Sequence, residues 1–228
     1  MPYPPRHATS RLLLSTLIAG LMLSGCNRSD NDSAQNDDHD HDHPHVETAG
    51  RLAIADAQAP RLRVVNLDDA QTLDTFTLAY PATALYASPE RRYAVVIQRN
   101  DDQVSFIDGG LWQEDHGDHL HDYQEAPKRL SFGLSARRPT HYEAHGELAA
   151  LFFDGSAEPS LPAEIRVFSE ASLGDARELA VLNLPVNMHG TAEPRGDHLL
   201  TTHRDADAAT TLPDRVDLYR RQGVTYQF

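Results

Sequence analysis

Three stretches of the chain share one plan. "RYAVVIQRNDDQVSFIDG", "ELAALFFDGSAEPSLPAEIRVFSEA" and "DHLLTTHRDADAATTLPDRVDLYRR" are each a hydrophobic strand, a polar Asp-rich loop and an alternating strand. They start at Tyr93, Leu148 and His198, spacings of 55 and 50 residues. A period of that size, with several short strands in each unit, belongs to propeller blades. Apolar and β-branched runs separated by turn residues recur from "RLAIADA" to "RVDLYRR". The helical period is nowhere sustained; "SEASLGDARELA" comes nearest, and Gly174 interrupts it. The expectation is an all-β chain, a β-propeller with about four blades present.

Counting the strands of a blade a to d from the centre outward, residues 51–80 supply b, c and d of a first blade. Three a-to-d blades follow over roughly 82–134, 139–185 and 188–228. No segment is left for the missing inner strand, and "GVTYQF" reads as an outer strand cut short. Four blades are the usual minimum for closure, so a partial ring, the first half of a larger propeller, is expected. A β-sandwich is the competing fold, and its strands would lack the fifty-residue period.

The N-terminus reads as an export signal. Arg6 and Arg11 precede "LLLSTLIAGLML", too short for a bilayer span of ~20 residues but suited to the core of a signal peptide. It runs into "LSGC", which resembles a bacterial lipoprotein signal with residues 1–25 removed and Cys26 lipidated. The alternative is an ordinary cleaved signal, but Cys26 is the chain's only cysteine. Asn27 stands where an aspartate marks inner-membrane retention, which favours the outer membrane. Residues 26–49 contain almost no hydrophobic side chain and read as a disordered linker; the propeller occupies 50–228.

One cysteine excludes disulfides, thiolate zinc sites and a cysteine nucleophile from the mature body. No G-x-S-x-G elbow, Walker loop or H-E-x-x-H helix is present. The formal charge is −14, and loss of the signal removes two arginines and no acid. Such a surface repels nucleic acid and attracts cations and basic partners.

Histidine is what the composition concentrates. In the linker, "HDHDHPH" puts His39, His41, His43 and His45 at every second position, on one side of an extended chain. They suit capture of a metal in fast exchange; a solvated spacer is the alternative. "GLWQEDHGDHLHDYQE", residues 110–125, holds three histidines and five acids between the c and d strands of the second blade. This connection is far longer than a tight hairpin loop needs. His116, His119 and His121, with Asp118 or Asp115 as an oxygen ligand or orienting group, make a nitrogen and oxygen set for Zn²⁺. An exposed polar loop is the alternative. "PTHYEAHG" and "NMHGTAEPRG" carry His141 and His189 at the head of two successive inner strands, where residues converge on the axis. A packed, hydrogen-bonded histidine is the alternative at each. His145 and His203 are lesser candidates, and His198 reads as a plain strand residue.

"EDHGDHLHDY", "RPTHYEAHGELAALFFDG" and "HGTAEPRGDHLLTTHRD" together resemble the AztD-type periplasmic zinc metallochaperones over roughly residues 50–228. The resemblance implies a β-propeller that passes zinc to the solute-binding protein of a zinc ABC transporter, with a histidine-rich segment ahead of it. Family members are longer, so ligands in C-terminal blades would be missing, and a lipid anchor is not implied. The combined expectation is a periplasmic, lipid-anchored protein that captures Zn²⁺ on the arm and holds it around His116, His119, His121 and His141. It would then release the metal by ligand exchange to a partner. A metal-dependent propeller hydrolase, or a protein-binding scaffold with incidental histidines, are the rival expectations.

Overall fold

The computed structural model describes residues 47–115, 117, 120–208 and 210–228. The signal segment, Cys26, the arm histidines (His39, His41, His43, His45) and His116, Asp118 and His119 lie outside the described residues.

The described chain is a succession of antiparallel sheets in sequence order. The first holds β1 (Arg51–Ala55), β2 (Arg61–Asn66) and β3 (Thr72–Thr77), paired in that order. The second begins with β4 (Ala84–Ala87), β5 (Tyr93–Gln98) and β6 (Gln103–Asp108). A separate hairpin follows, β7 (Leu111–Asp115) and β8 (Leu120–Gln124), before β9 (Lys128–Ser135) closes the order β4-β5-β6-β9. The third sheet runs β10 (Pro139–His145), β11 (Leu148–Phe153), β12 (Pro162–Ser169), α1 (Glu170–Gly174) and β13 (Ala180–Val186). The fourth is β14 (Met188–Arg195), β15 (His198–Asp205), β16 (Asp217–Gln222) and β17 (Thr225–Gln227). One parallel pair, Val181 with Thr225, links the outer strands β13 and β17, so the last two sheets form a single hydrogen-bonded run.

These sheets are the blades that the repeat predicts, and they pack face on face. Leu62, Val64, Val96 and Ile107 fill the space between the first and second blades. Val95, Phe106, Leu151, Phe153 and Phe168 fill the second interface, with the Phe106 and Phe168 rings edge to face at 5.3 Å. Phe152, Ile165, Val167, Leu182 and Leu199 fill the third. A b strand inside this stack is covered on both faces. That is why "YAVVIQ" and "LAALFF" are unbroken apolar runs and almost wholly buried. The b strands of the first and fourth blades, β1 and β15, alternate instead, and Leu52 and Ile54 on β1, like Leu218 on β16, stay exposed.

Two local features depart from the sequence reading or sharpen it. The connection at 110–125, expected as a long loop, is mostly a hairpin. Trp112 and Tyr123 face each other in its register and stack with centroids 4.9 Å apart, and Gln113 donates to Asp122 across the other face at 2.7 Å. The many charged residues hid this pairing, because both faces of the hairpin are polar or half-exposed. Among the described residues the α-helical stretch is a five-residue turn, capped reciprocally by Ser169 and Ser172 and finished at Gly174. Among the described residues no helix is long and apolar enough to cross a membrane.

Blade-face packing, and not surface area, should carry the stability. Phe106→Ala at the second interface should cost about 3–5 kcal/mol by cavity formation. Leu218→Ala on the exposed far face should stay within about 0.5 kcal/mol. Urea unfolding followed by circular dichroism measures both.

Candidate metal centre

Both inner strands that carry a candidate histidine begin with a tight entrance. Arg138, just ahead of β10, has φ +58°, and Asn187, just ahead of β14, has φ +54°. Non-glycine residues rarely sit there unless their surroundings hold them. Here the two hold each other, for the Arg138 guanidinium donates to Asn187 Oδ1 at 3.1 Å, and Asn187 Nδ2 donates to Asp207 at 3.1 Å. Past these entrances the chain delivers His141 on β10 and His189 on β14.

The two imidazoles meet. His141 Nε2 and His189 Nε2 are 3.4 Å apart. On its other side His189 Nδ1 lies 3.1 Å from Asp154 Oδ1, at the end of β11's chain segment. A carboxylate there fixes the proton on Nδ1, so His189 Nε2 presents a bare lone pair toward His141. Desolvation, and then the adjacent His189, lower the pKa of His141 below the ordinary histidine value, while Asp154 and Glu143 act in the opposite sense. That shift favours the neutral form of His141, the form in which a nitrogen ligand binds a metal.

Asp154 is the hub. Its side chain is 3% exposed, and Arg99 Nη2 reaches its Oδ2 at 3.1 Å, with Arg138 Nη2 at 3.8 Å. Arg99 stands on the 3-10 turn after β5 and also donates to Pro139 O at 3.3 Å and to Thr140 Oγ1. Gly190, next to His189, has no room for a side chain, since a Cβ would come within 2.1 Å of Thr202 O. The backbone carbonyl of Thr202 on β15 takes up the space that a side chain would need.

The histidines of the c–d hairpin are a different group. β9 starts opposite Asp108, beside the hairpin, and ends opposite Gln103, where the chain passes to β10. Its eight residues put roughly 23 Å of strand between those two ends. His121, on β8 and half-buried against Tyr123, is therefore at the opposite end of the strands from His141. Of the expected centre around His116, His119, His121 and His141, the structure describes His121 and His141 and holds these two apart; His116 and His119 lie outside the described residues. His145 pairs with Glu193 at 3.6 Å on the inner strands, His203 sits opposite Gly190, and His198 is an exposed strand residue. β4, the inner strand of the second blade, has no histidine, so the pair gains no third imidazole from it. Among the described residues no group of three or more His, Cys, Asp or Glu side chains is gathered as a metal cage.

Sequence reasoning found the two histidines through their repeat-equivalent positions. It missed Asp154, Arg99 and Arg138. The only trace of them is that Asp154 closes the b strand "LAALFFD" and that two arginines precede Pro139.

No family model matches the chain. The zinc chaperone AztD of Citrobacter koseri is 31% identical over 167 residues, which are 73% of this chain and 38% of that protein. A solved structure of apo AztD from the same organism superposes with a TM-score of 0.66 at 28% identity, covering 78% of this chain and 46% of that one. A crystal structure of Citrobacter koseri AztD gives 0.67 at 28% identity, covering 80% and 47%. The chain spans less than half the length of these relatives.

The knot around Asp154 should be structural as well as chemical. Asp154→Ala would leave two guanidiniums without their shared carboxylate. Because Arg99 reaches solvent, the expected loss is roughly 2–3 kcal/mol, below the ~3–5 of a fully buried pair. Urea denaturation of the variant measures it.

Proposed function

We propose that this chain, a relative of the AztD zinc chaperones in sequence and fold, binds Zn²⁺ as cargo and hands it on without covalent chemistry. The 3.4 Å between His141 Nε2 and His189 Nε2 carries the reading. Zn–N bonds of ~2.0–2.1 Å at the tetrahedral angle put two nitrogens ~3.3–3.4 Å apart. The spacing is long for a hydrogen bond between two rings and right for a shared ion. Asp154 behind His189 is the usual orienting carboxylate of such ligands.

Two imidazoles leave two positions open on a tetrahedral ion. Incoming ligands can occupy those before either histidine lets go, which is the requirement for transfer by stepwise exchange. Asp154, committed to His189 and two arginines, is in no position to act as the general base of a hydrolase. The binding reading is favoured over the enzymatic one for that reason.

The remaining assignments complete the proposal. His39, His41, His43 and His45 on the 26–49 linker capture the ion, and His116, His119 and His121 with Asp118 form a second station. The receiver is the periplasmic zinc solute-binding protein of an ABC transporter, which supplies the incoming ligands. Residues 1–25 direct export and lipidated Cys26 anchors the protein to the outer membrane, so hand-over occurs near that surface. Residues 50–228 supply the blades.

Zinc titration of the full chain tests the centre. His141→Ala with His189→Ala should weaken its zinc affinity by at least about a hundredfold, and Asp154→Asn by about 10- to 100-fold through misorientation of His189. Undiminished binding in the double variant would sink the reading. Protons compete with the metal, so affinity should fall with pH. Because the His141 pKa is lowered, the steep part of that fall should lie below the ordinary histidine value of about 6.5. Titrations at pH 7.5, 6.5 and 5.5 locate it; a calcium-preferring, pH-insensitive site would contradict the histidine assignment.

The anchor has its own test. Cys26→Ser should shift the protein from the membrane fraction to the soluble periplasmic fraction on cell fractionation, and an unchanged membrane fraction would refute lipidation.

A further inference from the structure

We propose that Arg99 sets the release of zinc from the His141–His189 pair, by opposing the charge of the ion it helps to position. The inference rests on that pair being the zinc site. Arg99 belongs to the second blade, yet its guanidinium is spent on the third. It donates to Pro139 O, to Thr140 Oγ1 and to Asp154 Oδ2. Thr140 is the chain neighbour of His141. Asp154 accepts from His189 through its other oxygen. One fixed cation therefore stands one residue from the first ligand and across one carboxylate from the second.

Arg138 brings a second positive charge to the same carboxylate oxygen, at 3.8 Å. A carboxylate behind a metal-binding histidine normally raises the basicity of the ring and strengthens the bond to the metal. Here that carboxylate is almost fully buried and its charge is shared with two guanidiniums. Little remains to offset a dication on the far side of the imidazole. A neutral side chain such as glutamine could donate to Asp154 or Thr140 without this cost. The arginine supplies the geometry and a standing push on the bound ion together. For a site that must give its ion away, the push shortens occupancy without altering the ligands.

The same arrangement could be a purely mechanical clamp between blades, and charge-neutral and charge-conserving variants separate the two. Zinc affinity and zinc release are measured on the full chain with zinc alone against a chromogenic chelator, the release by stopped flow. Arg99→Gln should bind zinc about tenfold more tightly and release it correspondingly slowly, whereas Arg99→Lys stays near wild type. Arg138→Gln should shift both in the same direction by less, since it stands farther off. Cobalt(II) in the Arg99→Gln variant should give the wild-type d–d spectrum, which shows unchanged ligands. Weaker binding in both Arg99 variants, or unchanged release in Arg99→Gln, overturns the proposal in favour of the clamp. If Arg99→Gln fails to fold, Arg138→Gln decides by the same readout. His141→Ala and His189→Ala run alongside: zinc binding indifferent to them defeats the site assignment itself, and this inference with it. Sensitivity to those histidines without tightening in the arginine variants defeats this inference alone.

Discussion

The stacking of one blade face on the next is the interaction on which the rest of the structure depends. A four-stranded sheet alone has two faces to cover and too little of its own material to cover them. Here Phe106, Leu151, Phe153 and Phe168 close one interface, and Phe152, Ile165, Leu182 and Leu199 close the next. The third blade is thus clamped from both sides, and its b strand β11 is almost wholly buried. Burial of that order fixes how one sheet is turned relative to its neighbour, because the side chains interdigitate and cannot slide. The close approach of β10 to β14, and with it the meeting of His141 and His189, is a by-product of that packing.

A single buried carboxylate then ties the polar end of the stack together. Asp154 receives Arg99 from the second blade, Arg138 from the entrance to the third and His189 from the fourth. Asn187, at the entrance to the fourth blade, is bridged to Arg138 in the same knot. Buried carboxylates are costly unless paired, so the knot exists only because all its members arrive at once. Its chemical consequence is that the His189 ring is oriented from behind, with Nδ1 toward Asp154 and Nε2 toward His141. The hairpin at 111–124 is organised differently, by Trp112 on Tyr123 and by the Arg92 guanidinium 3.9 Å over the indole.

Much of the fold was legible. "YAVVIQ" and "LAALFF" mark b strands covered on both faces, which must be apolar almost throughout, and "HLLTTHR" marks one that alternates because only one face is covered. Repeat equivalence pointed to His141 and His189 as neighbours. The hairpin was not legible, because charged residues occupy positions where an alternating pattern would announce a strand. The grouping of His121 with His141 failed for a topological reason. Neighbouring stretches of sequence can lie at opposite ends of an antiparallel strand, and β9 stands between these two.

The sequence by itself determined the strands, their fifty-residue period, the blade boundaries and the choice of nitrogen over sulfur for any metal. Those follow from local side-chain pattern and from composition, which need no knowledge of what lies across the sheet. Only the tertiary structure decided that Asp154, Arg99 and Arg138 serve the two histidines. Residues 99, 138, 154 and 189 come from three blades, and nothing in their local sequence says which way each side chain turns. Their meeting is set by how the blade faces pack, a property of many distant contacts together.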